Sequence, residues 1–253
     1  KSAIEIALIQ QACNITKKGF ERVLNFVKPT VWEYEIEAEL IHEFIRNRSK
    51  GFAYTPIIAS GYSACVLHYI ENNKQCKDGD LILMDTAAEY ANYSSDLTRT
   101  IPANGRFTDR QKAIYQSVLN VKNKATSIIK EGLEWKDYNK AVGEWMTEEL
   151  LNLKLIDKVD IQNQTEEQPA FRKYYMHGTS HHLGLDTHDY GDFQSVMKTN
   201  MVLTVEPGIY IPNEKIGIRL EDNLVVQENS QPINLMSTIP IEIEEIEDLM
   251  NNV

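Results

Sequence analysis

Four of the six histidines in this chain fall within one stretch of twelve residues. These four are His177, His181, His182 and His188. Two glycines interrupt the stretch, which is not the pattern of a packing surface. Histidine is the commonest side-chain metal ligand and the usual general acid or base near neutral pH. The stretch therefore predicts a metal or acid–base site, although a histidine-rich solvated loop is an alternative that this segment alone leaves open.

Acidic residues follow apolar runs at two places in the first half of the chain. Asp85 comes directly after residues 81–84, and Asp96 lies eleven residues further on. A buried aspartate is costly unless it is paired, hydrogen-bonded or bound to a cation. A turn at residues 87–89 between two antiparallel strands would let the two carboxylates face each other. The alternative is that both aspartates only cap turns.

Two further acidic residues have similar positions in the second half. Glu206 ends the apolar run 201–205, and Glu221 lies two residues after Arg219 in a segment predicted as a strand. Side chains two residues apart share one face of a strand, so Arg219 and Glu221 are expected to point the same way.

Four carboxylates with one histidine suit two adjacent divalent ions better than a single zinc ion, which usually takes more histidine or cysteine ligands. Such oxygen-rich ligation favours manganese, cobalt or zinc over copper. Two ions about 3.5–4 Å apart can hold a bridging hydroxide, polarise a carbonyl and stabilise the oxyanion that forms. The residues thus predict hydrolysis of an amide or an ester. His68, after the apolar run 65–67, is a further candidate, although a lone histidine there is often structural.

Charge and composition limit the binding partners and the cellular setting to be expected. The chain has 253 residues and a net charge of −11, which argues against nucleic acid and anionic membranes. No apolar run approaches the roughly 20 residues of a membrane span. The apolar stretch at the start of the chain is interrupted by Glu5, whereas a signal peptide has a continuous apolar segment. Three cysteines without a CxxC motif indicate a reducing compartment, and we expect a cytoplasmic protein.

The apolar spacing predicts alternating blocks of helices and strands. Helices are expected over residues 2–27, from Thr30 onward, over 105–130, over 138–150 and at the acidic C-terminus. Thr30 with Glu33, and Thr108 with Gln111, are expected to form capping boxes at the start of two of these helices. Short apolar runs at 57–59, 65–67 and 81–84 predict strands, and the polar segment 157–169 predicts a surface connection. Two helices followed by acid-bearing strands occur twice, which hints at duplication.

Several segments also resemble a known family, in the family's order and over nearly the whole chain. They are residues 67–72, 85–102, 177–189, 205–210 and 217–223. The chain resembles the catalytic domain of the creatinase/methionine aminopeptidase superfamily of metallopeptidases, and within it bacterial aminopeptidase P, the Xaa-Pro aminopeptidases. This resemblance implies an α+β "pita-bread" fold, in which two pairs of helices cover a curved, mostly antiparallel sheet with pseudo-twofold duplication.

The resemblance also implies a set of metal ligands for two divalent ions, Mn²⁺ first and Zn²⁺ or Co²⁺ as alternatives. The implied ligands are Asp85, Asp96, His181, Glu206 and Glu221. Asp96 and Glu221 would bridge the two ions, and Glu206 would also take the proton from the bridging water. No role is assigned to His182, because that position varies in the family.

Further roles follow from the same resemblance. His188 and His68 would bind the scissile peptide and its tetrahedral intermediate, and His177 would line the proline side of the site. Arg219 and Tyr54 would support the metal ligands.

The implied reaction is hydrolysis of the Xaa-Pro bond at the N-terminus of peptides whose second residue is proline. Prolidase, which cleaves Xaa-Pro dipeptides, and a non-catalytic pita-bread binding module are the alternatives. Residues 1–253 would form the catalytic domain, with Lys1 at the boundary to an N-terminal domain that this chain lacks. Because that domain often mediates assembly in the family, a homo-oligomer of the full-length protein is compatible with the resemblance.

Overall fold

The computed structural model describes residues 1–251, so the last two residues of the predicted 1–253 domain lie outside the described residues. Helices cover antiparallel β-structure, which is the predicted α+β arrangement. The helices are α1 (Ala3–Phe26), α2 (Glu33–Arg46), α3 (Asp109–Ile128), α4 (Trp135–Asn152), α5 (Lys158–Gln162) and α6 (Ile243–Asn251). Within residues 1–251, none of the helices has the length and apolar character needed to cross a membrane.

The strands form two three-stranded sheets and two small hairpins. They are β1 (Ile57–Ser60), β2 (Leu81–Asp85), β3 (Glu89–Tyr90), β4 (Tyr93–Ser94), β5 (Thr98–Pro102), β6 (Val202–Val205), β7 (Gly208–Ile211), β8 (Ile216–Arg219), β9 (Asp222–Val225) and β10 (Ile233–Asn234). One sheet has the order β1-β2-β5 and the other β10-β9-β6, while β3 pairs with β4 and β7 with β8. All of these pairings are antiparallel.

In both halves of the chain, a pair of helices precedes the strands of a three-stranded sheet. The pair α1 and α2 precedes β1-β2-β5, and the pair α3 and α4 precedes β6-β9-β10. Within each pair the helices pack against each other. This order agrees with the duplication that the sequence indicates.

Helix α2 begins later than predicted. Trp32 is its N-cap, and the Glu35 carboxylate accepts a hydrogen bond from the Trp32 N–H at 2.6 Å. Thr30 instead has φ 84° and its N–H donates to the Cys76 carbonyl at 2.8 Å. The predicted capping box of Thr30 and Glu33 is therefore wrong, because Thr30 lies in a turn and its segment is hydrogen-bonded to residues 74–76.

Glu33 belongs to the interior rather than to a solvated helix face. Its carboxylate is buried and accepts hydrogen bonds from the Ser60 N–H at 2.7 Å, the Ser60 hydroxyl at 2.6 Å and the Tyr69 hydroxyl at 2.7 Å. The Lys74 N–H adds a fourth hydrogen bond at 2.9 Å. These bonds tie α2 to the end of β1 and to the loop that carries His68.

The strand predicted at residues 65–67 does not form. Residues Gly61–Cys65 make a 3-10 helix, and the chain then continues as a loop through His68. Gly61 has φ 54°, which turns the chain immediately after β1. The following segment packs so closely on β8 that a Cβ on Gly217 would lie 2.1 Å from the Ala64 carbonyl oxygen.

The turn between Asp85 and Asp96 also differs from the prediction. The reversal lies at Ala91 and Asn92, which have φ of 52° and 69°, and not at residues 87–89. The reason is that the Ala88 N–H is held by the buried Thr16 hydroxyl at 2.9 Å, so residues 87–88 lead inward. Strand β2 then pairs with β5 beyond this inserted hairpin, in a register that sets Asp85 opposite Thr98.

A buried ionic cluster contacts the second sheet. Asp222 is 2% exposed and accepts hydrogen bonds from Arg99 Nη2 at 2.7 Å and from Lys122 Nζ. Arg99 also donates to the main-chain carbonyl of Glu221 at 2.6 Å. The cluster therefore joins β5, α3 and β9 directly behind a predicted metal ligand.

We expect Asp222→Ala to lower the free energy of unfolding by about 3–5 kcal/mol, because it leaves two buried cations without their shared partner. The matched control is Glu214→Ala, which breaks the more exposed pair with Arg110 and should change stability by only ~0–1 kcal/mol. Urea unfolding of both variants in metal-free buffer measures the difference. Equal effects would show that Arg99 and Lys122 do not depend on Asp222 as a buried partner.

Candidate active site

All ten predicted site residues line one cavity of about 550 Å³. They are Tyr54, His68, Asp85, Asp96, His177, His181, His188, Glu206, Arg219 and Glu221. The acidic residues come from strand ends: Asp85 ends β2, Glu206 follows β6, and Glu221 lies between β8 and β9. The antiparallel sheets bring these ends together, so residues far apart in the chain share one cavity.

The tightest group in the cavity has the composition of a metal site. One ligand atom from each of Asp96, His181 and Glu221 lies within 4.8 Å of the other two. His181 Nε2 is 3.3 Å from Asp96 Oδ2 and 3.5 Å from Glu206 Oε1. The Nδ1 atom of His181 lies 3.0 Å from the His182 carbonyl oxygen, which can only accept a hydrogen bond. Nε2 is therefore the nitrogen that faces the carboxylates.

The acidic side chains oppose one another's ionisation. Burial raises the pKa of Glu221 well above its usual value, and the charges of Asp96, Glu206 and Asp85 raise it further. Burial raises the pKa of Glu206 to about 7, even though His181 and Arg219 act to lower it. A cation is the group that such a cluster lacks, since it would stabilise the ionised carboxylates.

One buried atom also indicates a cation site. Oε1 of Glu221 is buried and has no hydrogen-bond partner among residues 1–251. An orphaned carboxylate oxygen is rare in a protein interior. Together with the oxygen-rich donor set, it shows that these residues fit a divalent cation.

Burial acts to lower the pKa of His181, but the hydrogen bond to Asp96 and the charges of Asp96 and Glu206 outweigh it and raise this pKa to about 9. In the metal-free protein His181 is therefore an imidazolium at neutral pH. Metal binding at Nε2 must displace a proton, so affinity should rise with pH.

Tyr54 spans two of the carboxylates. Its hydroxyl oxygen lies 2.7 Å from Asp85 Oδ1 and 2.7 Å from Asp96 Oδ1. Burial, and then the charges of Asp85 and Asp96, raise the pKa of Tyr54 well above its usual value, so the hydroxyl keeps its proton. Tyr54 thus fixes the spacing of the two aspartates.

Arg219 is the buried cation of the site. It donates to Asp85 Oδ2 at 2.6 Å, to the Tyr210 hydroxyl at 2.8 Å and to the Thr98 hydroxyl at 3.2 Å. Thr98 in turn donates to Glu221 Oε2 at 2.7 Å. Arg219 and Glu221 do face the same cavity, as their spacing predicts, and they are connected through Thr98.

Sequence reasoning did not single out Thr98 or Tyr210. Both lie inside segments that carry the family resemblance, and Thr98 is two residues from Asp96. Strand alternation could have indicated Thr98. For Tyr210 the sequence gives no comparable signal, because its role depends on contacts with Arg219 and His177.

His177 is held in a defined tautomer. Since Arg219 donates to the Tyr210 oxygen, the Tyr210 hydroxyl can donate to His177 Nε2, which lies 2.8 Å away. His177 Nδ1 then carries the proton and donates to the Gly178 carbonyl at 2.8 Å. Burial, followed by the charge of Arg219, lowers the pKa of His177 to about 3, so this ring is neutral.

The two remaining histidines occupy the open side of the cavity. His68 and His188 are both exposed, unlike His181 and His177. The His188 ring packs edge-on against the His181 ring, with centroids 4.4 Å apart. Burial of the ring lowers the pKa of His188, and the charge of His181 lowers it further. Both side chains can therefore meet a ligand that enters the cavity.

A family model covers most of the chain that builds this cavity. Residues 7–228 match metallopeptidase family M24. The chain belongs to this family. Membership in M24 and the acidic ligand set agree on a divalent-metal site.

Solved and curated relatives support the M24 assignment. The chain is 41% identical to the Xaa-Pro aminopeptidase of Haemophilus influenzae over an alignment 263 residues long, which covers 99% of this chain and 60% of that protein. The structure of Pseudomonas aeruginosa aminopeptidase PepP superposes with a TM-score of 0.93 at 38% identity, covering 100% of this chain and 60% of that one.

Zn-substituted Escherichia coli aminopeptidase P in complex with product gives a TM-score of 0.92 at 37% identity, covering 99% of this chain and 59% of that one. The predicted resemblance and pita-bread fold are confirmed. The chain spans about 60% of the length of the relatives that it matches.

We expect the metal-free M24 domain to lose stability as pH rises from 6.5 to 9. The pKa of Glu206, at about 7, and that of His181, at about 9, are raised in the folded state, above unfolded values of about 4.3 and 6.5. The folded protein therefore holds more protons than the unfolded chain, and the stability that they provide is lost as pH rises. His177, whose pKa is lowered, contributes no change above about pH 6.5.

Thermal unfolding in EDTA and in MnCl₂ across this pH range measures the effect. Added metal should raise the Tm most at the alkaline end, where the ligands are deprotonated. Glu221→Gln, which removes one carboxyl group whose pKa is raised in the folded state, should flatten the metal-free profile. A metal-free Tm that is constant or rises over this range would contradict the electrostatic account.

Proposed function

We propose that this chain is the catalytic domain of a dinuclear-metal aminopeptidase that hydrolyses the Xaa-Pro bond at the N-terminus of peptides. The observation that carries the proposal is the convergence of four carboxylates and His181 in one cavity, with three more histidines on its walls. Similarity to Xaa-Pro aminopeptidases over 99% of the chain supports the same reaction.

Five side chains would hold the two divalent ions. They are Asp85, Asp96, His181, Glu206 and Glu221. By the resemblance, Asp96 and Glu221 would contribute to holding both ions, Asp85 would help to hold one of them, and His181 with Glu206 would hold the other. The Asp96–His181–Glu221 cluster and the unpartnered Oε1 of Glu221 support this assignment.

We propose Mn²⁺ as the native metal, with Zn²⁺ or Co²⁺ as substitutes, because four of the five donors are carboxylates. When bound, the ions would polarise the scissile carbonyl and lower the pKa of the attacking water. Zinc as a substitute has a precedent in the related Escherichia coli aminopeptidase P, which has been solved in a zinc-substituted form.

Glu206 is the proposed general base. In the metal-free protein burial raises its pKa to about 7. Bound divalent cations would lower this pKa, which would keep the carboxylate ionised and able to accept a proton near neutral pH. Its two carboxylate oxygens lie 3.5 Å from His181 Nε2 and 3.7 Å from His177 Nδ1. The Glu206 carboxylate therefore lies between these two histidines on the cavity wall.

The other histidines bind the substrate. His68 and His188, on the open side of the cavity, would donate hydrogen bonds to the scissile peptide and to the oxyanion that forms from it. The neutral His177, fixed by Tyr210, would line the proline side. Proline has no backbone N–H to donate. The wall of the cavity that contacts proline therefore needs no hydrogen-bond acceptor for such a group.

The choice between the two peptidase activities rests on the relatives. The Haemophilus influenzae and Escherichia coli proteins, at 41% and 38% identity, are both named Xaa-Pro aminopeptidases. This favours the aminopeptidase over prolidase. A non-catalytic binding module is disfavoured, because each of the five predicted metal-ligand positions carries a residue that can bind metal and that lines the cavity.

The cellular setting and assembly remain predictions. Cys13, Cys65 and Cys76 are all free thiols, which is compatible with a reducing, cytoplasmic setting. An additional N-terminal domain and a homo-oligomer of the full-length protein are expected from the resemblance, and the relatives are longer than this chain.

An Xaa-Pro-Xaa tripeptide should be cleaved faster than an Xaa-Pro dipeptide, and chelation should stop both reactions. The measurement is the rate of amino-acid release with Mn²⁺, with EDTA, and after metal is restored. The full-length protein is assayed in parallel, in case the isolated domain is slow. Faster dipeptide cleavage would reassign the protein as a prolidase. Activity that survives complete metal removal would reject the metal mechanism.

Glu206→Gln should reduce kcat by about 10²–10⁴-fold, because the amide cannot accept the proton. Since Glu206 is also a proposed ligand, metal content and Tm are measured on the same samples, with the surface variant Glu214→Gln as control. Near-normal kcat in a metal-loaded Glu206→Gln protein would exclude Glu206 as the base.

A further inference from the structure

His182 lies next to the proposed ligand His181 but points away from the cavity. It is 4% exposed and forms a β-bridge with Leu203 of β6. Successive residues of an extended chain point to opposite sides, so the two adjacent imidazoles have different surroundings. The His182 ring packs against Trp135 and Phe193, with centroids 5.4 and 5.2 Å away.

Trp135, His182 and Phe193 form an aromatic clamp, in which each ring contacts the other two. The Trp135–Phe193 centroid distance is 4.8 Å. A Cβ on Gly191 would come within 1.8 Å of the His182 ring, so this position requires glycine. The segment that carries Phe193 is tied to the start of α4, because the Met197 N–H donates to the Leu133 carbonyl at 2.8 Å.

The clamp holds His182 by packing and not by hydrogen bonds. Nε2 of His182 and Nε1 of Trp135 are both buried without a partner among residues 1–251. An unsatisfied buried nitrogen is unfavourable. The useful property of this side chain is therefore its flat ring, which phenylalanine also provides.

The main chain of His182 connects two functional histidines. Its carbonyl oxygen accepts from His181 Nδ1 at 3.0 Å and from the Asp189 N–H at 3.0 Å. The first bond orients the His181 ring, and the second fixes the chain directly after His188. The position of one carbonyl oxygen therefore controls both His181 and His188.

We propose that His182 is a positioning residue whose clamped ring fixes this carbonyl, and thereby sets the metal affinity of His181 and the placement of His188. The inference rests on the proposed function, in which His181 binds metal and His188 binds substrate. Groups that orient a metal-bound histidine typically change metal affinity by about 10–100-fold when they are lost.

The test compares His182→Ala, His182→Phe and Phe193→Ala in the full-length protein. Calorimetric titration of the metal-free proteins with Mn²⁺ gives the Kd, and kcat and KM for a tripeptide are measured at saturating metal. His182→Ala should weaken Mn²⁺ binding by about tenfold and lower kcat even when metal is saturating. His182→Phe should retain wild-type values.

Phe193→Ala and one additional control variant keep the test decisive. Phe193 is 49% exposed, so Phe193→Ala should fold even if His182→Ala does not, and it should weaken Mn²⁺ binding in the same direction. Met146→Ala removes a buried side chain of α4 outside the clamp; it should lower Tm but leave the Mn²⁺ Kd unchanged.

Wild-type Mn²⁺ affinity in both His182→Ala and Phe193→Ala would overturn the inference and leave the proposed function intact. Loss of affinity in His182→Phe equal to that in His182→Ala would also overturn it, because the imidazole nitrogens would then be needed. If the wild-type protein binds no Mn²⁺, the proposed metal site fails and the inference fails with it.

Discussion

Electrostatic repulsion among the carboxylates in one cavity is the constraint on which the rest of the structure depends. Asp96 and Glu221 are 4% and 2% exposed, and Asp85 and Glu206 lie close enough to raise the pKa of Glu221 further. Unpaired, these groups take up protons or destabilise the fold. Arg219 offsets part of the charge through Asp85. Divalent cations would stabilise the remainder, so metal binding and folding are expected to be linked.

The fold holds these groups together through strand register and buried polar contacts. Pairing of β2 with β5 sets Asp85 opposite Thr98, and pairing of β6 with β9 sets Val205, the residue before Glu206, opposite Asp222. Behind the cavity, Arg99 donates to the carbonyls of Thr98 and Glu221. A buried ion pair is weak support for stability but can define one arrangement of the chain. Here it fixes the main chain of Glu221, a proposed metal ligand.

Sequence patterns predicted the parts of this molecule that depend on local rules. The helix α3, with its Thr108 capping box, follows from neighbouring residues, and Asp85 at the end of an apolar run is placed by the strand that precedes it. The errors have a common physical cause. The start of α2, the loop at 65–67 and the reversal at 91–92 depend on contacts between distant residues, such as Glu33 with Tyr69. Tyr210 was missed for the same reason.

The histidine-rich stretch shows how one residue type acquires different properties from its surroundings. His177, His181 and His188 line the cavity, whereas His182 is buried outside it, so the adjacent imidazoles of His181 and His182 do not share an environment. Burial and Arg219 keep His177 neutral, whereas Asp96 and Glu206 favour the charged form of His181. A solvated loop would leave all four rings equivalent and near their ordinary pKa of about 6.5. The fold therefore gives each of these clustered histidines its own surroundings. The effect of substituting one of them does not predict the effect of substituting another.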